Sequence, residues 1–271
     1  ARPSIADPFL PKKIEEGRIE DIRECIGCNI CITGDMTMSI SRCTQNPTFM
    51  EEWRKGWHPE KMNPKGASQS VLVVGSGPAG LEAAWALCRR GYDVAIAEAG
   101  TEIGGRVTRE RKLPGLSAWG RVVDYRDYQL SQRPNVEIYR DSELDAESLL
   151  EFGFENIAIA TGASWRRDGV SRQHVVPMPI AEGARIYTPD DLMGGTIPEG
   201  KIVLFDDDHY YMGGVLAELL ASRGADVTLI TPSAYVSDWT NNTLEQAVIH
   251  ARLVEMGVEI VLNRGVTEIA A

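Results

Sequence analysis

Two kinds of apolar pattern alternate along this chain. Short unbroken runs such as Val71-Leu72-Val73-Val74 and Ile157-Ala158-Ile159-Ala160 read as strands buried on both faces. Longer stretches repeat apolar residues at helical spacing. The pattern predicts strands at 71–74, 93–97, 136–139, 157–160, 202–205, 226–230 and 258–262. It predicts helices at 81–90, 119–131, 214–223 and 243–256. Buried strands alternating with helices mean a parallel sheet, so the expected class is α/β. The alternation falls into two βαβ units, the second opening at Lys201, read as two interleaved Rossmann-like units.

Before residue 71 the periodicity fades. Residues 1–20, punctuated by Pro3, Pro8 and Pro11, read as a loop followed by one short amphipathic helix. Residues 21–45 hold four of the five cysteines. Residues 46–70, with Trp53, Trp57, His58, Pro59, Pro64 and Gly66, read as a turn-rich linker packed on a neighbour.

Composition narrows the function. The 271 residues are 43% hydrophobic and 25% charged, which excludes a disordered, collagen-like or coiled-coil chain. No apolar run approaches the roughly 20 residues of a membrane helix. A net charge of −11 has the wrong sign for tracking nucleic-acid phosphates. Position 1 is not Met, no signal peptide is read, and the chain stops just after a strand-like run. It is therefore expected to be a cytoplasmic piece of a longer polypeptide.

The cysteines carry the first chemistry. Cys25, Cys28 and Cys31 are spaced by two residues, and Cys43 follows after eleven intervening residues. A tight triplet with a remote fourth thiol suits a [4Fe–4S] cluster, one loop wrapping three irons and a separate segment closing the cage. A structural zinc site is the competing reading, although zinc more often takes two separated pairs. Gly27 and Asn29 suit the sharp turns of such a loop. Cys88, among Ala and Leu in a helix, reads as core.

A second chemistry lies at Gly75-Ser76-Gly77-Pro78-Ala79-Gly80, after a strand and opening a helix. The glycines allow a tight turn, close approach to a pyrophosphate and close helix–strand packing. Glu98 ends the next strand, placed to accept from ribose hydroxyls, with Ala99 beside it. Gly105 and Arg106 form a possible second phosphate wall, and Thr161-Gly162 follow a later strand. This trio resembles the FAD domain of flavin-disulfide reductases. The other reading is a Rossmann-like unit with no ligand. The corresponding turn of the second unit, Asp206-Asp207-Asp208-His209, sets carboxylates where a pyrophosphate would lie, so that unit is not expected to bind NAD(P)H. His58, His174 and His250 read as surface or structural, and Trp119, Tyr125 and Tyr128 as packing.

Taken together, the whole chain resembles the C-terminal part of the trimethylamine, dimethylamine and histamine dehydrogenases. The motifs that carry this are Ala1-Arg2-Pro3-Ser4-Ile5-Ala6-Asp7-Pro8, Cys25-Ile26-Gly27-Cys28-Asn29-Ile30-Cys31, Trp57-His58-Pro59-Glu60 and the glycine turn. Leu113-Pro114-Gly115-Leu116, Asp206-Asp207-Asp208-His209-Tyr210-Tyr211 and Trp239-Thr240-Asn241-Asn242-Thr243 also fit. The resemblance implies a (β/α)8 barrel carrying FMN, with only its tail at residues 1–20 and Arg2 reaching the FMN phosphate. It implies a cluster on Cys25, Cys28, Cys31 and Cys43 within a segment and linker at 21–66. It implies ADP, with FAD as the alternative, in an incomplete nucleotide domain at 67–165, and an incomplete second Rossmann-like domain at 166–271. The expected function is the electron-transfer and ADP-binding portion of an amine dehydrogenase. A small amine is its substrate, an electron-transferring flavoprotein its acceptor and a homodimer its assembly. No catalytic residue lies in this chain. The alternative is a reductase resembling the dienoyl-CoA and enoate reductases, which needs a working NADPH turn; a further one is a non-catalytic docking module.

Overall fold

The computed structural model describes residues 1–51, 53–55, 62–67 and 69–270. Trp57-His58-Pro59-Glu60, one of the motifs above, lies outside the described residues. The chain forms two compact units, one holding most of the chain up to Ala163 and the other holding it from Ser164 onward with two short earlier pieces.

In the first unit come helices α1 (Arg2–Ala6), α2 (Leu10–Glu15) and α3 (Ile30–Met36), then strand β1 (Val71–Val74) and helix α4 (Pro78–Arg89). Strand β2 (Val94–Ala97), helices α5 (Val107–Glu110) and α6 (Arg121–Ser131), strand β3 (Val136–Tyr139), helix α7 (Ala146–Glu151) and strand β4 (Asn156–Ile159) follow. The sheet is parallel with the order β3-β2-β1-β4. Side chains alternate across it as strand geometry requires. Val71 and Val73 join Leu81, Trp85, Cys88, Ile96 and Val122 on one face, while Leu72, Val74, Ala95 and Ala97 meet Leu144, Leu149 and Phe154 on the other. The reversal of strand order between β1 and β4 leaves a crevice at their carboxyl ends, the usual ligand position in such sheets.

The second unit contributes α8 (Pro189–Met193), β5 (Lys201–Phe205), α9 (Tyr211–Ser222), β6 (Asp226–Thr231), α10 (Gln246–Glu255) and β7 (Glu259–Leu262). Its strands run parallel in the order β5-β6-β7. Leu216, Ala217, Leu220, Val227, Leu229 and Leu253 are buried there.

The differences from the sequence reading fall at short helices and helix starts. Residues 1–20 are not a loop and one helix but two helices and a 3-10 turn at Ile19–Asp21. α1, α3, α7 and α8 span seven residues or fewer, too short to show a period, and end signals specify three of them. Proline sits in the first turn of α1, Asp145 accepts from the Ser148 amide at 2.8 Å to cap α7, and Thr188 with Asp191 forms a capping box on α8. α4 begins at Pro78 rather than 81 because proline's fixed φ suits a helix's first turn.

Candidate functional site

The first unit gathers the cysteine segment. Cys25, Cys28, Cys31 and Cys43 all line one small cleft with Ile5, Ile26, Ile30, Thr44 and Gln45. Local backbone makes this possible. Gly27 (φ +73°) and Asn29 (φ +55°) both take the left-handed conformation, turning the chain sharply twice within the triplet. Cys31 lies in the first turn of α3, a helix too short for the apolar pattern to reveal. The Gly27 amide donates to Cys25 Sγ at 3.3 Å, the Asn46 amide donates to Cys43 Sγ at 3.3 Å, and Cys28 Sγ pairs with Thr44 Oγ1 at 3.1 Å. Burial pushes the Cys28 and Cys31 thiols above the usual cysteine range, and the neighbouring cysteines push the same way. A metal centre would have to expel those protons as it forms.

This donor set fits an iron–sulfur group. Four soft sulfurs line one largely apolar cleft, with backbone N–H donors on two of them, an arrangement that tunes cluster potential. Among the described residues no three His, Cys, Asp or Glu side chains are disposed around a single ion. A four-iron cube makes a different demand, with its ligands standing apart at separate corners. Arg2 stands at the same cleft, its guanidinium donating to Asn29 Oδ1.

Three side chains that the motif reading did not single out hold this segment. Gln45, Arg121 and Arg126 bridge the backbone of the cysteine loop and the helix α6. The available signal was weak: Arg126 lies on α6 among Val122, Val123, Tyr125 and Leu130, a charge at a position the pattern reserves for core. Tyr125 packs edge-on against Trp85 at 6.5 Å, as packing was expected of it, whereas Tyr128 is exposed.

The glycine turn follows β1 and opens α4. Gly75 has φ +97°, and its position abuts the Ala160 carbonyl at the end of β4. A methyl group at Gly80 would overlap the Gly75 carbonyl oxygen, so only glycine lets helix and strand come this close. Gly77 caps α4 and faces open space. Gly105 lies against Gly77, while Ala99, Thr161 and Gly162 are exposed around the same crevice. Glu98 accepts from the Ser76 amide at 2.9 Å, from the Ser76 hydroxyl and from the Gly100 amide at 2.8 Å. Burial opposes its ionisation, but these donors outweigh it and hold the carboxyl below its usual range. A fixed carboxylate therefore stands at the end of β2, beside the turn. Arg106 is turned to Glu110 (3.1 Å).

The turn of the second unit is filled by its own side chains. Asp206 is 3% exposed and packs over Gly213 at the start of α9. Its Oδ1 accepts from the Asp208 and His209 amides, both at 3.1 Å, while Oδ2 has no partner. Asp207 accepts from the Gln173 amide at 2.6 Å and pairs with His209 Nε2 at 3.0 Å. Tyr210 stacks edge-on against Trp239 at 4.8 Å, and Thr240 and Thr243 behind it are buried. Burial raises the Asp206 carboxyl above the usual range. A carboxyl that holds its proton more tightly when folded opposes folding at higher pH, so its cost appears above the unfolded value of 3.8 and grows as pH rises through the folded one. Asp206→Asn is accordingly expected to leave thermal stability unchanged near pH 4 and to raise it at pH 8, by roughly 2–4 °C per kcal/mol relieved. A calorimetric pH series checks this; a gain independent of pH would refute it.

Comparison with known proteins matches both units. A family described as NAD(P)-binding Rossmann-like domain matches residues 73–137, and one described as OYE-like second alpha/beta domain matches residues 187–270. The chain is 40% identical over 278 residues to dimethylamine dehydrogenase of Hyphomicrobium sp. (strain x), covering 99% of this chain and 38% of that protein. The structure of histamine dehydrogenase from Rhizobium sp. 4-9 is 73% identical, superposes with a TM-score of 0.97, and is matched over 100% of this chain and 40% of its own. That of 6-hydroxypseudooxynicotine amine oxidase from Pseudomonas geniculata N1 is 50% identical with a TM-score of 0.94, over 100% of this chain and 41% of its own. The chain thus spans about two fifths of each relative.

Proposed function

We propose, from the premise that the chain belongs to the dimethylamine and histamine dehydrogenase family, that it is the electron-transfer and ADP-binding portion of an iron–sulfur flavoprotein amine dehydrogenase. In the intact protein a (β/α)8 barrel, of which residues 1–20 would be the tail, would hold FMN, and that group would supply the chemistry for oxidising a small amine. A [4Fe–4S] cluster on Cys25, Cys28, Cys31 and Cys43 would supply single-electron chemistry toward an external acceptor such as an electron-transferring flavoprotein. The observation that carries this is the convergence of Cys25, Cys28, Cys31 and Cys43 on one cleft within the unit that also holds the glycine turn. When bound, such a cluster takes and passes single electrons.

This chain's residues have the following parts. The four cysteines would hold the cluster, and the amides of Gly27 and Asn46 donate to Cys25 Sγ and Cys43 Sγ. Arg2 joins the helix α1 to the cysteine loop through Asn29 and would contact the FMN phosphate. Gly75, Ser76, Gly77, Pro78, Ala79 and Gly80 carry the pyrophosphate of ADP on the start of α4, a helix long enough to offer its unpaired amides. Glu98 and Ala99 flank the ribose, and Gly105, Arg106, Thr161 and Gly162 wall the crevice. The Asp206 carboxyl packed on Gly213 closes the second turn to NAD(P)H, which supports outward electron flow over the reductase reading. The active species is a homodimer.

The test is extraction of the nucleotide from the intact protein followed by mass spectrometry, alongside iron and acid-labile sulfide analysis. One ADP per chain with about four irons is the expected result. FAD in its place would shift the assignment to the reductases, and zinc without sulfide would remove the cluster.

A further inference from the structure

Gln45 is 1% exposed, and both ends of its amide are engaged. Its Nε2 donates to the Glu24 carbonyl at 2.9 Å, with a longer approach of 3.4 Å to the Arg121 carbonyl. Its Oε1 accepts from Arg126 Nη1 at 2.9 Å. Arg126 is itself fixed, donating to the Val122 carbonyl at 2.9 Å and to Glu82 Oε2 at 2.7 Å. Arg121 Nη1 donates to the Cys25 carbonyl at 2.7 Å. The peptide units on either side of Cys25 are therefore both held from outside the loop. On the other side, Gln45 follows Cys43 by two residues, and the next residue, Asn46, donates its amide to Cys43 Sγ and its Nδ2 to the Ile5 carbonyl at 3.0 Å.

We infer that Gln45 is a positioning residue for the cluster site: its amide fastens the backbone ahead of Cys25 to the backbone just past Cys43, and so sets the separation of the first and fourth thiols. This rests on the reading of the four cysteines as iron ligands. The choice of glutamine follows from its chemistry. The position needs a donor toward Glu24 and an acceptor toward Arg126 on one side chain, which neither Glu, Lys nor Leu provides. Both groups are buried, so an unmade bond costs its full desolvation.

The test uses the intact, iron-loaded protein with Gln45→Glu and Gln45→Leu. Gln45→Glu keeps the size and the acceptor for Arg126 but loses the donor; Gln45→Leu loses both. Iron release to a ferrous chelator is expected to accelerate about tenfold or more in both, as for other outer-shell partners of metal ligands. The low-temperature electron paramagnetic resonance spectrum of the reduced cluster is expected to shift its g values in both. Release at the wild-type rate with an unchanged spectrum in Gln45→Glu would overturn the inference, whatever Gln45→Leu does, because only packing or the Arg126 bond would then matter. Should Gln45→Leu fail to fold, Gln45→Glu and the surface variant Arg121→Met, which removes the Cys25 carbonyl's donor, carry the measurement. A wild-type protein lacking iron and sulfide overturns the cluster reading itself, an outcome told apart from failure of the latch because it appears before any substitution.

Discussion

Gly80→Ala is expected to strip the nucleotide from the intact protein. The added methyl would occupy the same space as the Gly75 carbonyl oxygen, so α4 must retreat from the end of β1. Those two elements carry the turn, and their spacing decides whether backbone amides point at a pyrophosphate or past it. Retained ADP is expected to fall from about one per chain to a tenth or less, equivalent to at least about 1.4 kcal/mol of lost affinity. Gly77→Ala separates the two causes. Gly77 has an ordinary negative φ of −64° and nothing within 4 Å of its missing Cβ, so alanine fits the folded chain without strain. It should therefore weaken ADP by crowding the phosphates while leaving the thermal midpoint in place, whereas Gly80→Ala lowers both. Equilibrium dialysis with ADP and a thermal melt read the two effects. Full retention of ADP in Gly80→Ala would show that the turn is not where the nucleotide sits.

Cys43→Ala carries the largest effect expected outside that turn. Cys43 is the only one of the four thiols supplied from beyond α3, and the Asn46 amide already donates to its sulfur. Without it one iron corner has no thiolate, and iron is expected to drop from about four per chain to below one, with loss of the visible absorption. ADP content is expected to persist, since none of Gly75–Gly80 lies on the loop. That combination distinguishes cluster loss from general misfolding. Iron held at four per chain in Cys43→Ala would refute the assignment of this ligand.

How much of this was legible in the sequence follows from what each signal depends on. β1 and β2 were readable because four consecutive buried residues leave few alternatives, and their observed bounds fall at or within one residue of the expected ones. The cysteine spacing was readable because it is local. Gly75 and Gly80 were readable as a motif, although the overlap at Gly80 appears only once α4 and β1 are placed. The short helices α1 and α3 lacked the length to show a period. Gln45 and Arg126 were hidden for a different reason: they meet across 81 positions of sequence, and nothing near either residue names the other. The second turn was half legible. Its three carboxylates announced a poor phosphate site, but not that Asp206 would fold inward onto Gly213.

The same long-range ties bear on how the protein is made. The loop with Cys25, Cys28, Cys31 and Cys43 leaves the ribosome well before the residues that brace it, Arg126 lying 81 positions after Gln45 and Arg121 lying 96 after Cys25. At cellular synthesis rates that interval is roughly 5–20 seconds, during which the four thiols are exposed without their support. On the reading proposed above, a cluster held by these thiols gains the bracing of Arg121 and Arg126 only once α6 has been synthesised.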